Sequence, residues 1–269
     1  MSLSKKSKKF YIIFVILIIV VIVFIIFKNK KDDSYPMDAV ASVVKTDTQK
    51  VEKVVENTTN TNPIEGYKVD KYYNVVPIDK DGNKKVVLLT IDDGPSNQSE
   101  NLLVILAKHN VKAIFFINGM HDKDYKGVIK KEFDAGHAIG NHTWSHQNLN
   151  KIKENVALKE IESNTKLIAD ITGNKPKFFR SPFGISSEFS RAHLKKENMI
   201  SMNWSGSTKD WEKSARDKKV FVNNVMKTLH DGEIILMHEH EWDTNSLDDL
   251  LTEIEKKGYT FLDPKNITK

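Results

Sequence analysis

Apolar positions along the 269-residue chain follow three different patterns. Residues 10–27 (FYIIFVILIIVVIVFIIF) are apolar without interruption, whereas residues 32–66 are polar and rich in Asn, Thr, Lys and Val. From Tyr67 onward, short apolar runs alternate with longer segments whose apolar residues recur at helical spacing. The pattern therefore predicts one long apolar helix, a polar stalk and a folded domain.

The folded part is predicted to be an α/β domain. Strands are predicted at 86–91, 111–117, 138–140, 177–180, 200–204, 233–238 and 259–262, and helices at 97–109, 124–136, 154–172, 187–198, 215–231 and 246–257. Several strands are continuous apolar runs, which is typical of a parallel sheet buried on both faces. Repeating strand–helix units with right-handed crossovers favour a distorted (β/α) barrel of about seven strands, and a doubly wound open sheet is the alternative.

Residues 10–27 are predicted to be an uncleaved transmembrane anchor. Eighteen helical residues at a rise of about 1.5 Å span roughly 27 Å, close to the hydrocarbon thickness of a bilayer. A cleaved signal peptide is the alternative, but no small-x-small cleavage site follows the run. The predicted organisation is a basic tail at 1–9, the anchor at 10–27, a stalk at 28–66 and the folded domain at 67–269.

The net charge of +5 belongs to the N-terminus. Seven of the 41 basic residues lie within the first 31 positions, where there is no acid, and the remaining 34 are balanced by 36 acidic residues. This distribution does not indicate a nucleic-acid-binding domain. The absence of cysteine excludes disulfides, Cys-ligated zinc and thiol catalysis.

Polar residues directly follow most of the predicted strands. These residues are 92–95 (DDGP), 141–146 (NHTWSH), 180–184 (RSPFG), 210–211 (DW) and His238. Ligand sites of parallel α/β folds lie at the carboxyl ends of the strands. We therefore expect these side chains to meet at one rim of the barrel.

His142 and His146 are four residues apart, so both rings would share one face of a helical turn. With one carboxylate from Asp92 or Asp93 they would form a three-ligand site for a borderline divalent metal. Zn²⁺ is the expected metal, and Co²⁺, Ni²⁺ or iron would accept the same ligands; two surface histidines are the alternative. Adjacent side chains on a strand diverge, so only one carboxylate is expected to reach the metal, leaving the other as a general base.

A metal and a general base could together activate a water that attacks an amide carbonyl. Hydrolysis of an amide would also need an acid that protonates the departing amine. His238 is the candidate, with His240 as the competing imidazole. Arg180 would keep the base carboxylate ionised, and Asp210 would orient and charge the imidazole. A backbone N–H in the turn at Pro182-Phe183 would serve as an oxyanion donor.

The ordered motifs TIDDGPS, HTWSH, RSPFG, TKDW and ILMH resemble those of the polysaccharide deacetylases with a NodB-homology domain, carbohydrate esterase family four. The resemblance covers about residues 84 to 263. It implies a distorted (β/α) barrel that removes N-acetyl groups from N-acetylglucosamine-type sugars or O-acetyl groups from xylan.

The resemblance also implies a role for each matching residue. Asp92 would be the base, Asp93 the metal ligand with His142 and His146, and His238 the acid. The other matches are Arg180 with Asp92, Asp210 with the imidazole, Trp211 and Leu236 around the acetyl methyl, and Phe183 as the oxyanion donor. Two residues depart from the family pattern: Ile91 stands where Phe is usual, and Glu239 follows His238 where Asp is common.

These observations predict a metal-dependent deacetylase of a cell-envelope glycan, anchored in the cell membrane with its catalytic domain on the outer side. Peptidoglycan is the first expectation, with chitin, poly-N-acetylglucosamine and acetylated xylan as alternatives. A glycan-binding protein without turnover is a rival, disfavoured by the complete set of chemical residues. A hydrolase of another amide or ester is a third possibility.

Overall fold

The structure is a computed structural model that describes residues 66–269. The predicted basic tail and anchor, and nearly all of the predicted stalk, lie outside the described residues. Within residues 66–269, no helix is both long enough and apolar enough to cross a membrane. The predicted domain boundaries therefore stay predictions.

The described part contains ten strands and six α-helices. The strands are β1 (Tyr67–Val69), β2 (Val75–Pro77), β3 (Val86–Gly94), β4 (Ile114–Ile117), β5 (Ala138–Asn141), β6 (Phe178–Phe179), β7 (Ile200–Ser201), β8 (Gly206–Ser207), β9 (Glu233–His238) and β10 (Thr260–Phe261). The helices are α1 (Ser99–Lys108), α2 (Val128–Asp134), α3 (Glu154–Thr172), α4 (Glu188–Lys196), α5 (Lys218–Met226) and α6 (Glu241–Lys256).

The main sheet is a parallel sheet curled into an incomplete barrel. Its strand order is β7-β6-β5-β4-β3-β9-β8, with β10 also pairing to β3. The two outer strands, β7 and β8, are consecutive in the chain, so five Cα steps, at most roughly 18 Å, must join them. A flat sheet would separate them by six strand spacings, roughly 29 Å. The sheet therefore curls until its edges approach, which confirms the barrel prediction over the open sheet.

Alternation along β3 and β9 decides which side chains enter the barrel. Val87, Leu89 and Ile91 pack outward with helix residues such as Leu102 and Leu247, whereas Val86 and Leu88 belong to the inner core. Since side chains alternate along a strand, Asp92 continues the inner face of β3, and Leu236 and His238 continue the inner face set by Ile234 on β9. Asp92 and His238 are also register partners. Alternation thus brings an acid and an imidazole to the same barrel mouth.

Each predicted strand and helix is present, with differences at the boundaries. α3 has the predicted bounds, and α6 begins at Glu241 rather than at 246, because Asp243 and His240 form a capping box. The antiparallel hairpin of β1 and β2 was not predicted, and neither was β8, since two residues (GS) carry no apolar pattern.

Candidate active site

The carboxyl end of β3 carries a β-bulge that turns both carboxylates toward the same place. The register against β4 shifts between Asp92 and Gly94, and Asp93 has a left-handed backbone with φ of 67°. A bulge of this kind re-aims a side chain that a regular strand would send to the opposite face. Asp92 Oδ2 lies 3.6 Å and Asp93 Oδ1 3.5 Å from Nε2 of His142. The expectation that the two side chains diverge was therefore wrong.

The two predicted histidine ligands lie in an irregular loop after β5, not on a helical turn. Thr143 and His146 have left-handed backbones, with φ of 69° and 56°, a conformation that costs free energy for a β-branched residue and tends to persist at functional sites. The rings of His142 and His146 are nevertheless 4.9 Å apart, and Nε2 of each is 3.5 Å from Asp93 Oδ1. The prediction that the two rings lie close together is therefore correct, but the helical turn that was expected to bring them together is absent from this loop.

Buried polar side chains that the sequence analysis missed hold this loop. Asn118 Nδ2 donates to the His142 carbonyl at 2.6 Å, and Asn164 Nδ2 on α3 donates to the Thr143 carbonyl at 3.0 Å. Glu160, one helical turn earlier on α3, accepts from the N–H and the hydroxyl of Ser145, both at 2.7 Å. Only Asn118 could have been found from the sequence, because it directly follows a predicted strand, as the predicted site residues do.

The groups around Asp93 fit a divalent metal. Asp93 Oδ1 is buried and has no hydrogen-bond partner among residues 66–269. Nδ1 of His142 lies 2.7 Å from the Arg180 carbonyl, which can only accept, so Nδ1 carries the proton and Nε2 offers its lone pair. Burial is the main cause that lowers the pKa of His142 to about 3, which keeps the ring neutral, as a ligand must be. Ligands at about 2.0–2.1 Å from one tetrahedral ion stand about 3.4 Å apart, close to the 3.5 Å observed.

Arg180 and Asp92 form a fully buried ion pair behind this cluster. Nη1 of Arg180 donates to Asp92 Oδ1 at 2.7 Å and to the Thr90 hydroxyl at 2.8 Å, and Nη2 donates to the Asn203 carbonyl at 2.8 Å. Burial raises the pKa of Asp92, and the charge of Arg180 partly offsets this rise. Burial thus increases the basicity of the Asp92 carboxylate while the Arg180 guanidinium stabilises its charge, as a general base requires.

His238 and Asp210 form a second pair on the opposite side of the mouth. Asp210 accepts from the backbone N–H of His238 at 2.6 Å and from Nδ1 at 2.8 Å, which leaves Nε2 facing Asp93 Oδ2 at 3.9 Å. Burial alone would lower the pKa of His238, but the hydrogen bond and charge of Asp210 raise it to about 9. His238 can therefore be protonated at neutral pH and give up a proton from Nε2.

The turn at Pro182 and Phe183 lies beside the histidine ligands. Phe183 has a left-handed backbone with φ of 60°, and its ring meets that of His146 edge-on at 4.7 Å. Its backbone N–H donates no hydrogen bond within residues 66–269, so it is free for a substrate oxygen. Pro182 is buried beneath the turn.

The remaining predicted residues lie near His238. Trp211 is exposed, and its ring meets that of His238 edge-on at 6.2 Å. Leu236 is buried on the inner face of β9, two residues before His238.

A groove of about 530 Å³ opens next to the site and is lined by His146, Gln147, Asn148, Lys151, Ile152, Phe183 and Ile185.

Comparison with known proteins agrees with this geometry. The polysaccharide deacetylase family model matches residues 79–200. The chain is 33% identical over 186 residues to the peptidoglycan-N-acetylglucosamine deacetylase of Bacillus cereus, covering 67% of each chain. It is also 33% identical over 182 residues to the peptidoglycan-N-acetylmuramic acid deacetylase PdaA of Bacillus subtilis, covering 66% of this chain and 69% of PdaA.

Two solved structures share the fold. The peptidoglycan N-acetylglucosamine deacetylase Bc1960 superposes with a TM-score of 0.64 at 32% identity, covering 67% of this chain and 86% of that one. BA3943 of Bacillus anthracis, described as a CE4 family pseudoenzyme, superposes with a TM-score of 0.63 at 30% identity, covering 66% of this chain and 63% of that one. This chain belongs to the polysaccharide deacetylase family, carbohydrate esterase family four.

Proposed function

We propose that this protein is a metal-dependent hydrolase that removes N-acetyl groups from N-acetylglucosamine-type residues of peptidoglycan. The main support is that two differently tuned acid–base groups meet at the candidate metal ligands: Asp92 Oδ2 lies 3.6 Å from Nε2 of His142, and Nε2 of His238 lies 3.9 Å from Asp93 Oδ2. Raised basicity in Asp92 and a protonated His238 are the pair of states that amide hydrolysis needs.

Each residue has a distinct task in the reaction. A divalent metal held by Asp93, His142 and His146 would polarise the acetyl carbonyl and acidify the attacking water. Asp92 accepts the proton from that water while Arg180 fixes the carboxylate by its bond to Oδ1.

As the amide C–N bond breaks, Nε2 of His238 gives its proton to the nitrogen, so that the products are acetate and a free amine. Asp210 holds Nδ1 of the ring and so keeps Nε2 turned toward the site. The free N–H of Phe183 would donate to the developing oxyanion, a contribution of about 3 kcal/mol in comparable sites.

The groove supports an acidic glycan as the substrate. Ile152, Phe183 and Ile185 supply apolar contacts, and Lys151 is exposed and has no ion-pair partner among residues 66–269. Peptidoglycan carries carboxylates on its muramic acid substituents, whereas chitin, poly-N-acetylglucosamine and xylan backbones do not. The two relatives named above are deacetylases of different peptidoglycan sugars, and we propose N-acetylglucosamine for this chain.

The substrate proposal is tested by measuring released acetate and new free amines on purified peptidoglycan, chitin oligomers and acetylated xylan. We expect peptidoglycan to be the best substrate, with Lys151→Ala raising KM for it by about 2- to 5-fold, the upper range of an exposed charge pair. KM for neutral chitin oligomers should stay unchanged. Equal use of all three glycans, or equal effects of the variant on both glycans, would contradict an acidic substrate.

We also propose that residues 10–27 anchor the protein in the cell membrane and that the stalk places the domain on the outer side, next to the wall. Peptidoglycan is fixed in the cell wall, so a membrane anchor would keep the enzyme next to its substrate. Deleting residues 1–66 should release deacetylase activity from the membrane fraction. Activity that stays in that fraction after the deletion would contradict the anchor.

A binding protein without turnover is the second candidate, because one relative with the same fold is described as a pseudoenzyme. In this chain Asp92, Asp93, His142, His146 and His238 are all present at one mouth. A wall glycan with the same free-amine content with and without the protein would favour the binder.

A further inference from the structure

A second pair of buried acids lies behind the catalytic mouth and has no role in the reaction described above. Glu132 on α2 is completely buried, and Glu239, the residue after His238, is 7% exposed. Ser99, the first residue of α1, is also buried; its hydroxyl donates to Glu239 and is close enough to Glu132 to lower the pKa of that carboxyl. In the sequence, Glu239 stands out only as a departure from the family pattern.

Glu239 links the end of β9 to the bulge of β3. Its Oε2 accepts from the hydroxyls of Ser96 at 2.7 Å and Ser99 at 2.5 Å. Its Oε1 has no hydrogen-bond partner among residues 66–269 and lies against Gly94, where an added Cβ would be only 2.3 Å away. The carboxyl of Glu239 is thus wedged between the start of α1 and the residue that follows Asp93.

Glu132 has neither a hydrogen-bond partner nor an ion-pair partner among residues 66–269. Both of its carboxyl oxygens are buried without a hydrogen bond, and neither Glu132 nor Glu239 has a Lys, Arg or His partner among the described residues. The adjacent Lys131 instead pairs with Glu100, with Nζ 2.5 Å from Oε1. Asp93 adds a further negative charge near Glu239.

Two buried carboxyls without a cation cannot both be ionised at an acceptable free-energy cost. Burial, followed by the charge of Glu239, raises the pKa of Glu132 well above its ordinary value, and the Ser99 hydroxyl opposes the rise. Burial also raises the pKa of Glu239, although the hydrogen bonds from Ser99 and Ser96 oppose this. Glu239 has the hydrogen bonds that favour a charge, so Glu132 is the residue that keeps the proton.

We propose that Glu132 is a neutral carboxylic acid that donates a hydrogen bond to Glu239, and that this pair is a positioning element that fixes the turn at Asp93 and Gly94 against the end of β9. The proton on Glu132 would form a hydrogen bond to Oε1 of Glu239, so that both carboxyl groups would have a partner. Because Glu239 touches Gly94 and directly follows His238, the pair sets the distance between the ligand Asp93 and the acid His238. The positioning role rests on the function proposed above, but the proton on Glu132 does not.

The proton is tested by the pH dependence of unfolding. The full chain in mild nonionic detergent is unfolded with urea at about pH 5, 6 and 7, followed by the fluorescence of its tryptophans, all of which lie beyond residue 66. In the wild type, Glu132 keeps its proton when folded and loses it when unfolded above its ordinary pKa. Stability is therefore lost as pH rises from that value toward the raised one.

Glu132→Gln is neutral at every pH and keeps an N–H donor, so it lacks this loss. We expect the wild-type unfolding constant, relative to that of Glu132→Gln, to rise about tenfold per pH unit, the effect of one proton. Asp134→Asn, on the exposed side of the same helix, is the matched control and should show no such trend. A constant ratio between wild type and Glu132→Gln would overturn the neutral acid.

Positioning is tested by activity and metal affinity. Glu132→Leu keeps the volume but removes the donor, so Oε1 of Glu239 is left unpaired against Gly94. We expect kcat to fall about tenfold and metal affinity, measured by competition with a chromogenic chelator, to weaken, while Glu132→Gln restores both.

A Leu variant that is less stable but has wild-type kcat and metal affinity would reduce the pair to a structural role and overturn the positioning proposal. If the Leu variant does not fold, Glu239→Asp replaces it, because the shorter acid withdraws from Gly94. A wild type that shows the pH trend but no activity on any acetylated glycan would locate the failure in the proposed function.

Discussion

Replacing Asp210 by Asn tests how the protein prepares His238 as an acid. Asp210 accepts from Nδ1 of His238 at 2.8 Å and from its backbone N–H at 2.6 Å, and both groups are largely buried. The Asn side chain can still accept the backbone N–H, so the fold should be retained. What it removes is the negative charge that keeps the ring protonated.

The size of the effect follows from the pKa of His238. With Asp210 present that pKa is raised from 6.5 to about 9, against the lowering effect of burial. Without that carboxylate, the lowering effect of burial is opposed only by the charges of Asp92 and Asp93, so the pKa of His238 should fall back toward its ordinary value of 6.5. At about pH 7.5 the protonated fraction then falls from nearly one to about a tenth, and to about a hundredth if burial lowers the pKa by a further unit. We therefore expect kcat/KM at this pH to fall about 10- to 100-fold.

The assay is acetate release as a function of pH, in which the alkaline limb of kcat/KM reports the acid in the free enzyme. Activity requires protonated His238, so the limb should move to lower pH by about two units in Asp210→Asn. A cation bound at Asp93 moves the alkaline limb to lower pH in both proteins, so it does not affect the comparison. An unchanged limb, or less than a threefold loss at pH 7.5, would refute the assignment of Asp210.

Other substitutions separate the remaining roles. Asp92→Asn should abolish turnover while metal stays bound, whereas His142→Ala should lose both, as measured by acetate release and metal content; normal activity in the His142 variant would contradict the site. His238→Ala should lower kcat by about 10²–10⁴-fold, the usual contribution of general acid catalysis, and an equal loss in His240→Ala would point to the other imidazole. Arg180→Met should destabilise the fold by about 3–5 kcal/mol in urea unfolding, because Asp92 would remain as an unpaired buried charge; a change below about 1 kcal/mol would contradict that pairing.

Much of the fold was predictable because its signals are local. Continuous apolar runs such as 86–91 and 233–238 indicate buried parallel strands, and the residues after them must lie at one rim. The strand pattern therefore predicts Asp92, Arg180 and His238 at the same mouth, where the structure has them. The family, recognised from five short motifs, is confirmed.

The parts that could not be predicted depend on geometry that one local pattern does not contain. The bulge that turns Asp93 inward is a shift in register against another strand, and the positions of His142 and His146 depend on bonds from a distant helix. The pairing of Glu132 with Glu239 joins residues more than a hundred positions apart. β8 has only two residues, so no periodicity could reveal it.

The most direct test of the account is acetate release by the full chain from N-acetylglucosamine oligomers and peptidoglycan, before and after chelation. Zn²⁺, Co²⁺ or Ni²⁺ is then added back to the chelated protein. The account predicts that release disappears on chelation and returns with metal in the wild type, but not in His142→Ala. Release that persists in the metal-free protein would contradict the central role given to Asp93, His142 and His146.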